Sequence, residues 1–246
     1  MGRFLAFLYG MVAYLLFLIS FLYAIGFVGN LAVPKSIDTG TSASLGSALV
    51  IDLVLLSLFA IQHSGMARPG FKRWWTRVVP QPVERSTYVL LSSLVLLLLY
   101  WQWQPLAGIF WQVQNPAGRM LLQVVFWLGW LIVLVSTFMI NHFDLFGLRQ
   151  VYLHARRGAY TPTGFRAPGF YKYIRHPIML GFIIAFWATP DMTFGHLLFA
   201  LMTTGYILVA LQMEERDLVN LHGESYQRYR RRVNMLFPFR RYEESD

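Results

Sequence analysis

Six stretches of the chain are dominated by apolar residues, and short polar stretches separate them. The apolar stretches cover residues 4–29, 46–62, 86–103, 119–140, 177–189 and 193–212. A helix needs about 20 predominantly apolar residues to cross the hydrocarbon core of a bilayer, and most of these stretches approach or exceed that length. The pattern predicts an all-α integral membrane protein built as a bundle of five to six transmembrane helices. We expect residues 1–246 to form a single membrane domain with four spans in 1–140.

The last two apolar stretches predict a short helical hairpin over residues 177–212. A helix over 177–189 rises only about 20 Å at 1.5 Å per residue, and the following "TPDMT" favours a turn. Asp191 in this turn is a candidate N-cap for the second helix of the hairpin. A cytoplasmic loop over 141–176 precedes the hairpin, and a cytoplasmic lid or tail over 213–246 follows it.

Basic residues concentrate on every second loop. The segments 63–85 and 141–176 and the C-terminal tail are rich in Arg and Lys, whereas 30–45 has a single Lys and 104–118 has no charge. Because cytoplasmic loops carry the excess of basic residues, this alternation places both termini and the basic loops in the cytoplasm. We expect a bacterial inner-membrane protein whose site faces the cytoplasm.

The polar tail predicts an amphipathic helix rather than another span. Tyr226, Tyr229 and Val233 recur at helical spacing among several arginines. Such a helix lies in the membrane interface, where it serves as a basic anchor on anionic lipid or as a lid over a site.

Composition narrows the function classes further. The chain is 56% hydrophobic and 13% charged, and it has no cysteine, which excludes disulfides, thiolate metal sites and cysteine nucleophiles. The net charge of +9 follows from membrane orientation and does not indicate a nucleic-acid partner. We expect the lipid bilayer as the surroundings and no obligate protein partner.

Polar residues cluster at the predicted cytoplasmic ends of the spans. Polar groups close to the hydrocarbon are costly unless they have a function or a partner, so we expect these to converge on one pocket. The clusters contain Gln62, His63 and Ser64; Glu84 to Tyr88; Asn141, His142 and Asp144; "YKYIRHP" from Tyr171; and "MEERD" from Met213.

Each of these residues also has a structural interpretation. His63 could reach to interfacial water, Glu84 and Arg85 could form a surface pair, and Asp144 could cap a short helix. Arg175 could be a positive-inside anchor, and Pro177 suits the first turn of a helix. Glu214 and Glu215 are harder to explain in this way, because two acids interrupt a basic region.

The C-terminal third resembles the isoprenylcysteine carboxyl methyltransferase superfamily. The resemblance covers residues 171–238 and rests on "RHPIMLG" opening a hairpin, followed by "EERDLVNLHGESYQRYRRRVNMLFP". The segments "IQHSGMARPGFKRWW", "ERSTYVLLSS" and "NHFDLFGLRQVYLHARRGAY" are similar instead to the methanethiol S-methyltransferases of that superfamily. The resemblance implies an S-adenosylmethionine-dependent methyltransferase that converts methanethiol, a small volatile thiol, to dimethyl sulfide.

The resemblance also implies a cofactor site where the Arg-His-Pro motif, the two acids and the tail meet. The S-adenosylmethionine carboxylate and ribose suit Arg and His, the ribose or ammonium suits a carboxylate, and adenine suits tyrosine rings. A tail arginine would tie the lid over the site. The cofactor-binding residues expected on this basis are Tyr173, Arg175, His176, Pro177, Leu180, Glu214, Glu215, Tyr226 and Arg228.

Methyl transfer to a thiol requires a group that removes or shares the thiol proton. A thiol is a poor nucleophile compared with its thiolate, and a free thiol ionises only above neutral pH, near 8.5 for cysteine. His63 is the first candidate base because the unperturbed pKa of histidine, about 6.5, leaves it neutral at physiological pH. Tyr88 and Asp144 are the candidate helpers, and no metal is needed.

Other functions remain open on these residues. The methyl acceptor could be an isoprenoid or lipid thiol or carboxylate. A haem protein is a rival, since histidines could supply axial ligands, although His196 lies at the opposite end of the spans from His63 and His142. A non-catalytic membrane accessory protein is another, although the retained motif residues argue against it.

Overall fold

The computed structural model describes residues 2–41, 43–161 and 164–238, so residues 239–246 of the predicted tail lie outside the described residues. The regular structure of the described residues is helical apart from one short two-stranded sheet, and it includes a 3-10 turn at Gly169–Lys172. In chain order its elements are α1 Arg3–Gly29, α2 Leu45–Ala67, α3 Pro69–Trp75, α4 Gln81–Gln102, β1 Ile109–Gln112, α5 Pro116–Ile140, α6 His142–Leu145, α7 Leu148–Ala155, α8 Pro177–Trp187, β2 Asp191–Thr193, α9 Phe194–His222 and α10 Glu224–Arg232.

Five helices in the described residues, α1, α2, α4, α5 and α9, are long and apolar enough to cross a membrane. The sixth apolar helix, α8, has only 11 residues. These elements confirm the prediction of an all-α integral membrane protein. The shortness of α8 follows from the sequence, because Pro177 starts the helix and Pro190 follows its end.

The last long helix differs from its predicted extent. The apolar pattern ends at residue 212, but α9 continues to His222. Residues 213–222 contain neither Gly nor Pro, and their polar Glu and Arg residues have a helix propensity close to that of Leu. Gly223, with a φ of 56°, ends the helix in a backbone conformation that favours glycine.

The turn before α9 also differs from the prediction. Asp191 does not cap α9, because it lies in β2 opposite Gln112 of β1. Thr193 occupies the position directly before α9, and its Oγ accepts a hydrogen bond from the backbone N–H of His196 at 3.0 Å. A threonine oxygen at this position satisfies one of the N–H groups that a helix start leaves unpaired.

The chain divides into two compact units, which are described separately. Unit 1 comprises residues 1–112, 143–161 and 191–199, and unit 2 comprises 113–142, 162–190 and 200–246. The grouping of all residues into a single membrane domain therefore stays a prediction.

Unit 1 is assembled around α4. Helix α1 packs against α4 and α7, and α2 packs against α4. Small residues permit the close approach of α1 to α7, since a Cβ on Gly10 would lie 2.5 Å from a methyl group of Val151. The aromatic rings of Phe27, Trp103 and Phe199 pack edge to face beside these helices.

Unit 2 is held together by the contact of α5 with α8. Gly129 and Gly181 face each other, and a Cβ on Gly181 would lie 2.7 Å from the carbonyl oxygen of Gly129. Small residues allow helix backbones to approach closely where apolar lipid offers no hydrophobic drive for association. Helix α9 joins α8 through a hydrogen bond of 2.9 Å from Trp187 Nε1 to Thr204 Oγ1.

Candidate active site

His63 of α2 and Tyr88 of α4 are in direct contact in unit 1. The Tyr88 hydroxyl lies 3.1 Å from His63 Nδ1 and 3.0 Å from His63 Nε2. The Ser92 hydroxyl, one turn further along α4, lies 3.3 Å from Nδ1, and the Phe59 ring stacks on the imidazole. A neutral imidazole offers one donor and one acceptor nitrogen, so it can exchange a proton with a hydroxyl at this distance. The structure thus brings together two of the three predicted catalytic residues.

A fixed positive charge lies next to this pair. The Arg85 guanidinium sits 4.9 Å from the centre of the Tyr88 ring, and Arg85 Nε donates a hydrogen bond of 2.7 Å to the carbonyl oxygen of Leu145. The surface-pair interpretation of Arg85 missed this contact. The available signal was the spacing of Arg85 and Tyr88, since residues three apart share one face of a helix.

The turn that carries Leu145 depends on a glycine. Gly147 has a φ of 87°, and a Cβ there would lie 2.7 Å from the Ser86 hydroxyl oxygen. The start of α4 therefore packs against the backbone of this turn, and Ser86 Oγ donates to the carbonyl oxygen of Gly147 at 3.4 Å. This packing fixes the carbonyl that holds Arg85 over the Tyr88 ring.

Gln62 presents an unsatisfied acceptor next to His63 in the sequence. Its Nε2 lies 3.2 Å from the sulfur of Met66, and its Oε1 is buried without a hydrogen-bond partner among the described residues. A buried polar atom without a partner costs about 1–3 kcal/mol. Such an atom is suited to a ligand that brings its own donor, such as the S–H of a thiol.

Asp144 is engaged with other side chains of unit 1. Its carboxylate lies 3.2 Å from an Arg149 nitrogen and accepts a hydrogen bond of 3.3 Å from the Tyr160 hydroxyl. Its backbone carbonyl accepts from Gln150 Nε2 at 3.0 Å. These contacts favour a structural role in the α6–α7 segment, and a part for Asp144 in proton transfer stays a prediction.

A buried carboxylate organises the second polar cluster, in unit 2. Glu215 of α9 is 3% exposed, and its donors come from two other segments of the chain, residues 175–176 and α10. Its Oε1 accepts from Arg175 Nε at 2.7 Å, from His176 Nε2 at 2.9 Å and from the Tyr226 hydroxyl at 3.0 Å, and its Oε2 lies 3.4 Å from Arg230 Nε. We call these five residues the Glu215 hub.

The hub ties α10 to the segment before α8. Arg175 donates to the carbonyl oxygen of Arg230 at 2.9 Å and to that of Val233. The backbone N–H groups of Arg175 and His176 donate to the carbonyl oxygens of Asn234 and Met235, at 3.0 and 3.2 Å. The tail is therefore docked through main-chain hydrogen bonds as well as side chains.

Aromatic packing completes the docking of α10. Tyr226, Tyr229 and Val233 are buried and pack against Phe165 and Leu218, among others. The Tyr229 hydroxyl donates to the carbonyl oxygen of Tyr171 at 2.6 Å. Two effects raise the pKa of the Tyr226 phenol: burial, which is the larger, and the negative charge of Glu215. The hydroxyl therefore stays protonated and remains a donor.

The predicted cofactor residues separate into buried and accessible sets. Arg175, His176, Glu215 and Tyr226 are used inside the hub. Tyr173 is 40% exposed, and the Glu214 side chain is 45% exposed with its carboxylate 3.8 Å from His176 Nδ1.

The remaining predicted cofactor residues take simpler positions. Pro177 starts α8, and the backbone N–H of Leu180 closes the first turn on the carbonyl oxygen of His176 at 3.1 Å. Arg228 is exposed and pairs with Glu224 at 3.6 Å. Arg230 and Arg175 make the contacts that were expected of Arg228. Sequence reasoning missed Arg230, whose signal was its position four residues after Tyr226, on the same side of the helix.

Comparison with known proteins identifies relatives over nearly the whole chain. The family model described as NnrU protein matches residues 52–220. A methanethiol S-methyltransferase of Mycobacterium tuberculosis is 61% identical over 97% of this chain and 98% of its own length. A methanethiol S-methyltransferase of Crocosphaera subtropica is 55% identical over 97% of this chain and 94% of its own. Nurim of Mus musculus is 30% identical over 74% of this chain and 72% of its own. No solved structure matches the chain.

Proposed function

The chain belongs to the NnrU protein family and is similar over nearly its whole length to methanethiol S-methyltransferases, and we propose that it methylates methanethiol to dimethyl sulfide with S-adenosylmethionine as the methyl donor. The predicted resemblance to this group of membrane methyltransferases is confirmed, and so is the enzyme class. The main structural support for the proposal is the hydrogen bond between His63 and Tyr88, which provides a base in a chain that is similar to thiol methyltransferases.

His63 is the proposed acceptor of the thiol proton. When bound, S-adenosylmethionine would supply a methyl carbon attached to a positively charged sulfur: the thiolate sulfur would bond to that carbon, the bond from carbon to the sulfonium would break, and S-adenosylhomocysteine would leave. The imidazole takes the proton of the thiol S–H, and the Tyr88 hydroxyl orients the ring and can share that proton. The nearby Arg85 guanidinium favours negative charge on the thiol sulfur as it forms.

The accessible residues beside the hub fit part of the donor. Glu214 offers a half-exposed carboxylate for the ribose hydroxyls or the ammonium group, and Tyr173 offers an exposed ring for the adenine. Arg175 and His176 spend much of their hydrogen-bonding capacity on Glu215, so we assign them to holding the donor-binding residues of unit 2 in place. Glu215 and Tyr226 have the same role, with α10 as the lid.

We further propose that the protein lies in a bacterial inner membrane with its site on the cytoplasmic side. The alternation of basic and nearly uncharged loops supports this orientation. The membrane would then deliver an apolar, volatile substrate and help to exclude water from the reacting centre. The absence of an obligate protein partner stays a prediction.

Product analysis tests the proposed reaction. Purified protein in detergent receives S-adenosylmethionine and one of a panel of acceptors: methanethiol, longer alkanethiols, a lipid thiol and an isoprenoid carboxylate. We expect dimethyl sulfide in the headspace from methanethiol, with falling turnover as the thiol lengthens. Methylation of the isoprenoid or lipid acceptor alone would replace the proposed substrate, and no turnover of any acceptor by folded protein would favour an accessory role.

A further inference from the structure

The outward side of α10 carries an arginine-lined concavity that the proposed reaction does not use. The concavity has a volume of about 430 Å³, and its lining, which we call the outer arginine face, consists of Glu224, Gln227, Arg228, Arg231 and Arg232. Residues spaced by three, four and seven share one side of a helix. The opposite side of α10 is the one that packs through Tyr226, Tyr229 and Val233.

The length of α9 places α10 at the membrane surface. A helix of 29 residues rises about 43 Å at 1.5 Å per residue, which equals the full thickness of a bilayer with both headgroup layers, about 40–45 Å. Gly223 alone separates α9 from α10. A helix of this length can reach from one headgroup layer to the other, and on this basis we place the start of the outer arginine face at the level of the lipid headgroups.

Exposed apolar side chains flank α10 on both sides along the chain. Leu221, near the end of α9, is 74% exposed, and Phe237, just after the docked segment, is 61% exposed. Large apolar side chains with this exposure are suited to the boundary between headgroups and acyl chains. A basic helix between two such residues is typical of a segment that lies on an anionic membrane surface.

The charge of the face selects the ligand. Arg228, Arg231 and Arg232 present planar guanidinium groups, which bind phosphate through paired N–H donors. Glu224 reduces this charge only partly, because its pairing with Arg228 at 3.6 Å is between two exposed side chains.

We propose that the outer arginine face binds the phosphate of an anionic phospholipid in the adjacent leaflet. Because the inner side of the same helix is held by the Glu215 hub, bound lipid and the hub stabilise the same docked position of α10. Anionic lipid therefore strengthens the docking of the tail, and neutral lipid does not.

Binding is measured on the full-length protein in vesicles of phosphatidylcholine with or without about 30% phosphatidylglycerol. Native mass spectrometry counts the phosphatidylglycerol retained, and hydrogen exchange reports the protection of residues 224–235. We expect retained phosphatidylglycerol and slower exchange in the anionic vesicles. The triple variant Arg228→Gln, Arg231→Gln, Arg232→Gln should lose about 100-fold in affinity, since each basic residue near an anionic surface contributes about fivefold.

A charge-matched variant distinguishes a lipid site on α10 from the general electrostatic attraction of a basic protein to anionic lipid. Lys72→Gln, Arg73→Gln, Arg77→Gln removes the same charge from the α3 segment. It can lower the total phosphatidylglycerol retained, but it should leave the anionic-lipid protection of residues 224–235 unchanged. Equal losses of that protection in the two triple variants would overturn the proposal. It would also be overturned if inorganic phosphate, at matched ionic strength, displaced the lipid and protected α10 as well as phosphatidylglycerol does, because the site would then bind free anions.

Discussion

The carboxylate of Glu215 is met by donors from four side chains, whereas the imidazole of His63 meets two hydroxyl groups and an aromatic ring. The hub side chains come from three segments, and main-chain hydrogen bonds reinforce their contacts. Near His63 in the sequence, by contrast, Gln62 Oε1 lies buried without a hydrogen-bond partner in the described part of the chain.

This difference separates a cluster that orders the chain from one that can receive a reactant. A buried charge is tolerated where donors satisfy it, and each additional partner fixes the segments that supply it. A base must instead keep hydrogen-bonding capacity for its substrate. The Glu215 hub fits the first description. We propose the second role for the His63–Tyr88 pair, because the hydroxyl partners of the imidazole can each donate or accept a hydrogen bond and can therefore exchange with a substrate.

Removal of the hub carboxylate should have the largest effect. In Glu215→Ala, Arg175 and His176 stay buried without their acceptor, which costs about 3–5 kcal/mol. We expect the tail to undock and turnover to be lost. Denaturant unfolding in detergent and limited proteolysis of the tail measure these effects.

Glu214→Ala is the matched control, because it removes the same charge one residue away from a half-exposed position. Its unfolding free energy should change by no more than about 0.5 kcal/mol, while its affinity for S-adenosylhomocysteine falls. Equal destabilisation in the two variants would contradict the assignment of the ordering role to Glu215.

Loss of the proposed base should slow the reaction while preserving the fold. His63→Ala should lower turnover by about 10²–10⁴-fold, the usual contribution of a general base, with unchanged cofactor affinity. The deficit should shrink as pH rises toward the pKa of the thiol, because the nucleophile then ionises unaided. Turnover across the pH range measures this trend. A deficit that stays constant into alkaline pH would indicate that His63 positions the substrate.

Loss of the hydrogen bond from the Tyr226 hydroxyl to Glu215 should weaken the docking of the tail less than loss of the carboxylate does. Because burial and the charge of Glu215 raise the pKa of this phenol above its usual value near 10, the docked tail keeps it protonated where the undocked tail ionises. Docking should be fully stable below pH of about 10 and weaken as pH rises above it. Denaturant unfolding at several pH values measures this.

Tyr226→Phe should cost about 1.5–3 kcal/mol at neutral pH, the value of a hydrogen bond to a charged group, and should reduce the alkaline loss. Tyr173→Phe, at an exposed position nearby, serves as the control and should show neither effect. If Tyr226→Phe lost as much docking stability at alkaline pH as the wild type does, the loss would come from the ionisation of other tyrosines.

Removal of the Tyr88 hydroxyl should have the smallest effect. Tyr88→Phe keeps the ring beneath Arg85 and loses one hydrogen bond of about 1 kcal/mol, so turnover should fall about fivefold. Steady-state kinetics of Tyr88→Phe, His63→Ala and the double variant test the pairing. If the two residues act together, the double variant should be no slower than His63→Ala, and independent, multiplying losses would refute a shared role.

The sequence determined most of the helices and the chemistry at their ends. Hydropathy over about 20 residues is a local property, and it predicted α1, α2, α4 and α5 with their approximate bounds. The polar residues at the span ends included His63, Arg85 and Tyr88 of one cluster and Arg175, His176 and Glu215 of the other. They did not include Ser92, Tyr226 or Arg230. The resemblance to membrane methyltransferases supplied the enzyme class.

Contacts between distant segments were decided only by the tertiary structure. The pairing of β1 with β2 joins residues about 80 positions apart, a separation that no local pattern reveals. The contact of His63 with Tyr88 depends on how α2 is rotated against α4. Arg85 became part of the site because the Gly147 turn brings a carbonyl to it.

The two adjacent acids, Glu214 and Glu215, show most directly what the local sequence cannot predict. They are identical in type and lie about 100° apart around α9, so they meet different surroundings. Glu215 hydrogen-bonds to Arg175 and His176, whereas the Glu214 carboxylate lies 3.8 Å from His176 Nδ1. Their local sequence gives each the same propensity and charge. The packing of α9 in unit 2 turns Glu215 inward to four donors and leaves Glu214 half-exposed, because the rotation of a helix is set by all of its contacts together.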